Sequence, residues 1–307
     1  MMENQEHILT WESPDKTFSK KIKQEGKGSA KPNDGTVCLV HITPLVACSI
    51  TDNVIGYKLN RSIDMCIGNG DCELSEIFEA CVESMKEEEI AELLIPSTIV
   101  KKKWPEFKDD PPTDATADSD RLKNVVFSLE LKAFTPRKHI WELDPSEKLT
   151  RATEFKDIGT NNFKREKYDM AEKFYTKSLK VLVTMGVESG ITAFEEDQMN
   201  SYNTVRCAAL LNLAACQLKR DKFEFVVEHC NNALEIDSKN VKGLYRRGQA
   251  YMALNEFEKA KEDLKYALQL EPKNKPIIKQ LRVLDSKIKE HRAQYKKGMS
   301  KMFGGPV

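Results

Sequence analysis

Four polar side chains in the second half of this 307-residue chain have types that together could bind a carboxylate: Lys156, Asn212, Lys242 and Arg246. Lys242 and Arg246 are four residues apart, so a helix would place both on one face. Lysine and arginine supply positive charge and hydrogen-bond donors, and the asparagine amide supplies more donors. If the fold brings the four together, they form a cationic pocket that suits a peptide's C-terminal carboxylate and an acidic side chain.

The segments that carry these residues repeat one helical pattern. Residues 241–274 have small residues at positions 8 and 20 of a 34-residue unit and large residues at positions 4, 11 and 24, which is the tetratricopeptide spacing. The small residues let two helices of a hairpin approach closely, and a proline at position 32 ends the second helix. The matching residues are Leu244, Gly248, Tyr251, Ala260, Leu264, Ala267 and Pro272.

Two further units, at 207–240 and 152–185, follow the same spacing. The residues between them, about 186–206, are expected to lengthen both flanking helices and to join them by a loop at 186–190. Three hairpins are enough to bury a continuous core. Residues 147–273 are therefore predicted to form an all-α three-repeat tetratricopeptide solenoid, with a C-terminal capping helix at 275–303. The first helix of each hairpin lines the concave face, which would bring the four polar residues together.

The first half of the chain has a different pattern. Residues 37–42 and 125–134 are β-branched and apolar runs typical of strands, and apolar residues at helical spacing predict one helix between Leu74 and Met85. This order predicts a small α+β domain with a mostly antiparallel sheet. Residues 109–120 contain five aspartates and two prolines, which predicts a flexible acidic loop.

Composition argues against several classes of protein. The 48 basic and 48 acidic residues give zero net charge, whereas nucleic-acid-coating proteins carry a basic excess. No stretch reaches the ~18 consecutive apolar residues of a membrane span, and the polar N-terminus is unlike a signal peptide. The eight cysteines include no C-x-x-C pair, and Cys38-x-x-His41 is too sparse for zinc, so buried free thiols are expected. The expectation is a cytoplasmic or nuclear protein with no metal and no cofactor.

The four polar residues resemble the carboxylate clamp of co-chaperones that bind the C-terminal Glu-Glu-Val-Asp of the chaperones Hsp90 and Hsp70. That clamp has Lys and Asn in the first repeat, Asn in the second, and Lys and Arg in the third. Lys156, Asn212, Lys242 and Arg246 match it, and Thr160 stands where the first Asn is usual. Threonine still donates and accepts a hydrogen bond but is shorter. The resemblance implies a peptide-binding site of these five residues, with Hsp90 or Hsp70 as partner.

The second half of the chain also resembles the large FKBP-type immunophilins. The similar stretches are WELDPSEKLTRATEFKDIGTNNFKREKY at 141–168, LNLAACQLK at 211–219 and KGLYRRGQAYMALNEFEKAKEDL at 242–264. More weakly, 20–43 and the stretch Cys66–Gly70 resemble that family's FK506-binding domain. The resemblance implies a disordered N-terminus at 1–15, an FKBP-like domain at 16–136, a linker at 137–146 and then the tetratricopeptide domain.

Prolyl isomerisation in that family takes place in a dry aromatic pocket. Here Ile42 replaces the family's Tyr, and the family's Ala-Tyr-Gly loop has no match across 96–104. Its Phe-Asp-Ser segment has no counterpart either, and Phe127 is the pocket aromatic that stays. These differences predict a degenerate isomerase domain, so that the chain would not be an enzyme.

The combined prediction is a non-enzymatic Hsp90 co-chaperone whose FKBP-like domain is a protein-interaction module. Two alternatives stay open: an active FKBP-type peptidyl-prolyl cis-trans isomerase, and an adaptor for another acidic C-terminus. The basic, amphipathic stretch 287–303 has the pattern of a capping helix, and the family resemblance adds calmodulin as a partner for it.

Overall fold

An α+β unit is followed by an all-α unit, as the sequence predicted. The computed structural model describes residues 9–45, 50–70, 72, 74–107, 124–188 and 196–303. The two units are Met1–Glu142 and Leu143–Val307. The acidic segment 109–120 and Cys48 lie outside the described residues.

In the described residues of the first unit, six antiparallel strands form the sheet. They are β1 Thr10–Glu12, β2 Ser19–Gln24, β3 Val37–Pro44, β4 Ser62–Cys66, β5 Ile90–Pro96 and β6 Asn124–Thr135, in the order β1-β2-β5-β6-β3-β4. The long strand β6 lies between β5 and β3, so it pairs along both edges. Val125, Val126 and Phe127 are all buried, so the start of β6 is covered on both faces of the sheet, which explains its continuous apolar run.

Three helices accompany the sheet: α1 Asp52–Ile55, α2 Ser75–Glu83 and α3 Ser97–Lys103. Helix α2 is the helix that the apolar spacing predicts. The other two were not predicted, because helices of four and seven residues are too short for a period of 3.6 to become visible.

The core of this unit is formed where α2 packs on the sheet. Phe78 of α2 meets Phe127 of β6 edge to face, with ring centroids 4.9 Å apart. Ile42 of β3 and Phe127 are both fully buried in the same core cluster. The two residues compared with the FKBP pocket therefore lie at the centre of the domain.

Part of the N-terminal segment predicted to be disordered is a strand. Thr10–Glu12 pairs with Ser19–Lys21 of β2, and the Trp11 ring packs 5.6 Å from that of Phe18. The strand is stabilised by main-chain hydrogen bonds to β2. Its polar local sequence gives no strand pattern, so it could not be predicted from the sequence. Residues 1–8 lie outside the described part.

The segment predicted as a linker, 137–146, contains two helical starts. A short 3-10 helix covers Ile140–Glu142, and the next helix already begins at Pro145. Its N-terminus is a capping box: Asp144 accepts a 2.8 Å hydrogen bond from the Glu147 N–H, and Glu147 accepts one of 3.0 Å from the Asp144 N–H. The sequence Asp-Pro-Ser-Glu at 144–147 is typical of a helix N-terminus, so the start of this helix could have been predicted from the sequence.

The second unit consists, in its described residues, of seven helices. They are α4 Pro145–Lys164, α5 Tyr168–Glu188, α6 Glu196–Lys219, α7 Phe223–Ile236, α8 Val241–Ala253, α9 Phe257–Leu270 and α10 Lys275–Phe303. Helices α4/α5, α6/α7 and α8/α9 pack as hairpins, which confirms the three-repeat solenoid. Helix α6 begins 11 residues before its repeat unit, so the extra residues do lengthen it.

Small residues allow the helices of each hairpin to approach closely, as the repeat pattern predicted. A Cβ added at Gly159 of α4 would lie 2.8 Å from Cε1 of Tyr175 on α5, and one at Gly248 of α8 would lie 2.9 Å from Cγ of Leu264 on α9. Ala260 at position 20 is completely buried. The glycines are required for this close packing rather than for an unusual backbone conformation.

Helix α10 packs on α9 through its first half only. Ile277 is 1% exposed and Leu284 is 0% exposed, whereas Tyr295 is 65% and Met299 is 38% exposed. The last ring contact described is between His291 and Phe257. The prediction of a capping helix thus applies to about 275–291, and residues 292–299 are exposed. No described helix is long and apolar enough to cross a membrane.

Seven of the eight cysteines are described, and all seven are free. Burial raises the pKa of the Cys38, Cys81, Cys216 and Cys230 thiols to about 12. Within the described residues no group of cysteines, histidines and carboxylates is arranged to hold a metal ion.

Candidate peptide-binding site

The first helices of the three hairpins lie side by side and carry the five predicted site residues. Helix α6 contacts α4 on one side and α8 on the other. Lys156 and Thr160 are on α4, Asn212 is on α6, and Lys242 and Arg246 are on α8. The spacing of four residues within α4 and within α8 puts each pair on one helix face.

A cavity of about 630 Å³ opens between α6, the end of α7 and α8. Asn212, Lys242 and Arg246 line it, so the structure brings three of the five predicted residues together. The other lining residues are Asn200, Asn203, Thr204, Cys207, Ala208, Leu211, Ile236, Asp237 and Asn240. The cavity has the size of an ordinary ligand site, and its walls are largely polar.

Arg246 is fixed in the wall of this cavity. Its Nη1 donates a 2.7 Å hydrogen bond to the main-chain carbonyl of Leu211. Burial is the main cause that lowers the pKa of this guanidinium, and the neighbouring groups that oppose this are Cys230, Tyr175 and Cys216, none of which is a carboxylate. An arginine has five N–H donors, so the guanidinium keeps donors for an incoming anion. A desolvated cation without an acidic partner among the described residues favours binding a carboxylate.

Lys242 stands at the rim, one turn before Arg246. It is exposed, and no ion pair joins it to a carboxylate in the described part of the chain. Its ammonium group can therefore reach a second negative charge on a ligand held at Arg246.

Tyr175 on α5 connects three of the predicted positions, and the sequence analysis did not include it. Its hydroxyl donates to Thr160 Oγ1 at 3.2 Å. Burial raises the pKa of Tyr175, while hydrogen bonds with Thr160 and Asn212 and the charge of Arg246 act against that rise. The repeat pattern assigns position 24 to packing, and only the contacts show that this residue also supports the site.

The hydroxyl proton of Thr160 is already used. Thr160 Oγ1 donates to the Lys156 carbonyl at 2.9 Å and accepts from Tyr175. In this arrangement Thr160 has no hydrogen-bond donor left for a ligand. An asparagine amide at this position would have one.

Lys156 does not line the described cavity. Its Nζ lies 2.9 Å from Oδ1 of the neighbouring Asp157. Because the side chain of Asp157 is 63% exposed, this ion pair is weak and does not prevent Lys156 from turning to another acceptor.

Five cavity residues were missed because they lie outside the repeat positions used for the prediction. Asn200, Asn203 and Thr204 belong to the extension of α6, and Asp237 and Asn240 to the turn between α7 and α8. The first three lie eleven, eight and seven residues before Leu211, and these spacings follow the helical period, but Leu211 was not among the predicted site residues.

Comparison with known proteins agrees with this architecture. The Tetratricopeptide repeat family matches residues 241–274. The human "Peptidyl-prolyl cis-trans isomerase FKBP4" is 33% identical over 294 residues, which are 95% of this chain and 59% of that protein. The human "FK506-binding protein-like" is 29% identical over 302 residues, 96% of this chain and 72% of that protein. Among solved structures, the C-terminal TPR-containing domain of a putative FK506-binding protein from Plasmodium falciparum is 28% identical, with a TM-score of 0.46, and covers 50% of this chain and 99% of that one.

Fold and site define a two-unit protein, an α+β domain followed by tetratricopeptide repeats with a cationic cavity. The relatives confirm the prediction of a large FKBP-type immunophilin with a tetratricopeptide domain. The chain spans 59% of the length of the FKBP4 relatives that it matches.

The prediction that the chain is not an enzyme is contradicted by the same relatives. FKBP4 proteins of four mammals, 31–33% identical over 95% of this chain, are named peptidyl-prolyl cis-trans isomerases. The prediction rested on comparing pocket residues one by one, and replacement of single aromatics such as Tyr by Ile42 does not establish loss of activity.

Proposed function

We propose that the helical unit binds the acidic C-terminal peptide of Hsp90 through the cavity lined by Asn212, Lys242 and Arg246. The observation that carries this proposal is Arg246, a desolvated guanidinium without a carboxylate partner among the described residues, next to an exposed lysine. A terminal Asp supplies two carboxylates at the end of one chain, which matches two cations one helical turn apart.

On this proposal the chain acts as a co-chaperone, and the N-terminal unit contributes protein interactions. Hsp70 is a further candidate partner because its C-terminus has the same Glu-Glu-Val-Asp sequence. The broader alternative is an adaptor for another acidic C-terminus. All three share one chemistry, an α-carboxylate beside an acidic side chain.

The test is calorimetric titration of the full chain with a peptide that ends in Glu-Glu-Val-Asp. The matched control is the same peptide with a C-terminal amide, which removes one charge and changes nothing else. We expect binding of the free acid, weaker binding at higher salt, and a loss of at least tenfold in affinity for the amide. Equal affinity for acid and amide would refute the carboxylate site.

A second candidate function is peptidyl-prolyl isomerisation by the N-terminal unit, because the FKBP4 relatives are named peptidyl-prolyl cis-trans isomerases. This candidate rests on the identity that extends across both units. An NMR exchange measurement on a Xaa-Pro peptide, with and without FK506, tests it in the full chain. Acceleration that FK506 inhibits would support the activity, and exchange at the uncatalysed rate would exclude it.

The exposed end of α10 is proposed as a ligand for calcium-loaded calmodulin. Tyr295 and Met299 are exposed apolar residues, and basic residues surround them in the sequence. A basic amphipathic helix suits the apolar groove that calcium opens in calmodulin.

A further inference from the structure

The cavity extends beyond the repeat unit along the first turns of α6. Asn200, Asn203 and Thr204 line it, although the second repeat unit begins only at Cys207. Together with four later residues they form a stripe with alternating steps of three and one, which is one broad face of an α-helix. The full stripe is Asn200, Asn203, Thr204, Cys207, Ala208, Leu211 and Asn212.

The length of this stripe exceeds what a terminal carboxylate needs. Asn200 and Asn212 are twelve residues apart, which is about 18 Å along a helix at ~1.5 Å per residue. An extended peptide covers that distance with about five residues at ~3.4 Å each. A peptide anchored at Arg246 can therefore place upstream residues beside Asn200.

The two ends of the cavity differ in chemistry. Lys242 and Arg246 are at the Asn212 end, whereas the extension of α6 contributes amides and one hydroxyl to the lining and no charge. The Thr204 hydroxyl already donates to the Asn200 carbonyl at 2.7 Å. The side-chain amides of Asn200 and Asn203 form no hydrogen bond with another described residue.

We propose that Asn200 and Asn203 bind the main chain of the ligand, about four to five residues upstream of its C-terminal carboxylate. An amide side chain offers a donor and an acceptor, which matches the N–H and C=O of an extended peptide whatever its side chains are. The site then binds an acidic C-terminal peptide of about six residues, and its upstream part tolerates many sequences. This inference rests on the proposed function of the cavity.

The experiment compares two peptides by calorimetry on the full chain: acetyl-Glu-Glu-Val-Asp, and the same four residues preceded by five alternating Ser and Ala. The variant is Asn200→Ala/Asn203→Ala. The control is Gln198→Ala/Ser201→Ala, which removes two polar side chains from the same turns but outside the cavity lining. A third peptide carries N-methyl groups on its upstream amides.

For the unmodified chain we expect the nine-residue peptide to bind about tenfold more tightly than the four-residue peptide, as two hydrogen bonds allow. The Asn200/Asn203 variant should reduce this ratio to within about twofold while binding the short peptide unchanged, which also shows that it is folded. In the control variant the nine-residue peptide should still bind about tenfold more tightly. The N-methylated peptide should bind the unmodified chain no more tightly than the four-residue peptide.

A ratio near one in the unmodified chain, or an unchanged ratio in the Asn200/Asn203 variant, would overturn the inference and leave the carboxylate site intact. Loss of short-peptide binding in that variant would also overturn it, because the two sites would not be separate. If neither peptide binds the unmodified chain, the proposed function itself fails.

Discussion

The guanidinium of Arg246 donates a 2.7 Å hydrogen bond to the main-chain carbonyl of Leu211, one residue before Asn212. This contact joins the first helix of the third hairpin to the first helix of the second. It orients the guanidinium beside the Asn212 amide, so that a cation and an amide line one cavity.

Removal of either cation should weaken peptide binding without unfolding the protein. For Lys242→Ala and Arg246→Ala we expect losses of about ten- to a hundredfold in affinity for the Glu-Glu-Val-Asp peptide, since charge-assisted hydrogen bonds contribute about 1.5–3 kcal/mol. Lys265→Ala, an exposed lysine on α9, is the control. Calorimetry measures the affinities, and unchanged values in both variants would reject the site.

The neighbouring Arg247 should contribute to stability, whereas Lys242 and Arg246 contribute to peptide binding. Arg247 forms two hydrogen bonds with Asp263, of 2.7 and 2.6 Å, and one of 2.7 Å with Asn231. Arg247→Ala leaves the buried Asp263 carboxylate unpaired, so we expect a loss of about 3 kcal/mol in the free energy of unfolding.

Circular dichroism at 222 nm during urea denaturation measures this loss. The double variant Arg247→Ala/Asp263→Ala should recover part of it, because no unpaired carboxylate remains. A single variant as stable as the unmodified chain would show that the pair contributes nothing.

Thr160 should affect stability more than binding. Its proton is used by the Lys156 carbonyl, so Thr160→Val should change peptide affinity by no more than about threefold. The variant removes the acceptor for Tyr175, and we expect stability to fall by about 1 kcal/mol. Titration and urea denaturation of the same sample give both values. A tenfold loss of affinity would mean that Thr160 contacts the ligand directly.

Gly159→Ala should destabilise the first hairpin. The added Cβ would lie 2.8 Å from a ring carbon of buried Tyr175. The overpacking costs about 1–3 kcal/mol, which exceeds the roughly 1 kcal/mol gained in helix propensity.

The displaced Tyr175 ring should also weaken peptide binding. Gly298→Ala is the control, because outside the local backbone of its own helix no atom lies within 4 Å of its Cβ position, and it should be neutral or slightly stabilising. Thermal melting of both variants measures the difference, and equal Tm values would contradict the clash.

Truncation after Arg292 should leave the melting temperature nearly unchanged. Residues 293–299 are exposed, so little apolar surface loses a partner, whereas Leu284→Ala in the packed half should cost about 2–5 kcal/mol. A fall of many degrees on truncation would show that the free end also caps the solenoid. A pull-down with calmodulin, with calcium or chelator, tests whether the truncated chain has lost a calcium-dependent complex.

The sequence by itself determined the helical unit almost completely. Positions such as Gly248 and Leu264 are local in sequence and repeat every 34 residues, so the pattern specifies each hairpin and its neighbour. The same register predicts that Asn212, Lys242 and Arg246 share a face. The α+β unit was predicted only in outline, because β1 and the strand order depend on pairing between distant segments, which no local period records.

Tertiary structure decided which residues complete the cavity. Asn200 and Asn203 line it because α6 begins before its repeat unit, and Tyr175, at a second-helix position, contacts the predicted residue Thr160 through its hydroxyl. It also decided that Thr160 already donates its hydroxyl proton to the Lys156 carbonyl and that α10 is exposed over residues 292–299. Each of these depends on where a side chain lies relative to another helix, and periodicity gives the face of a helix but not the partner that faces it.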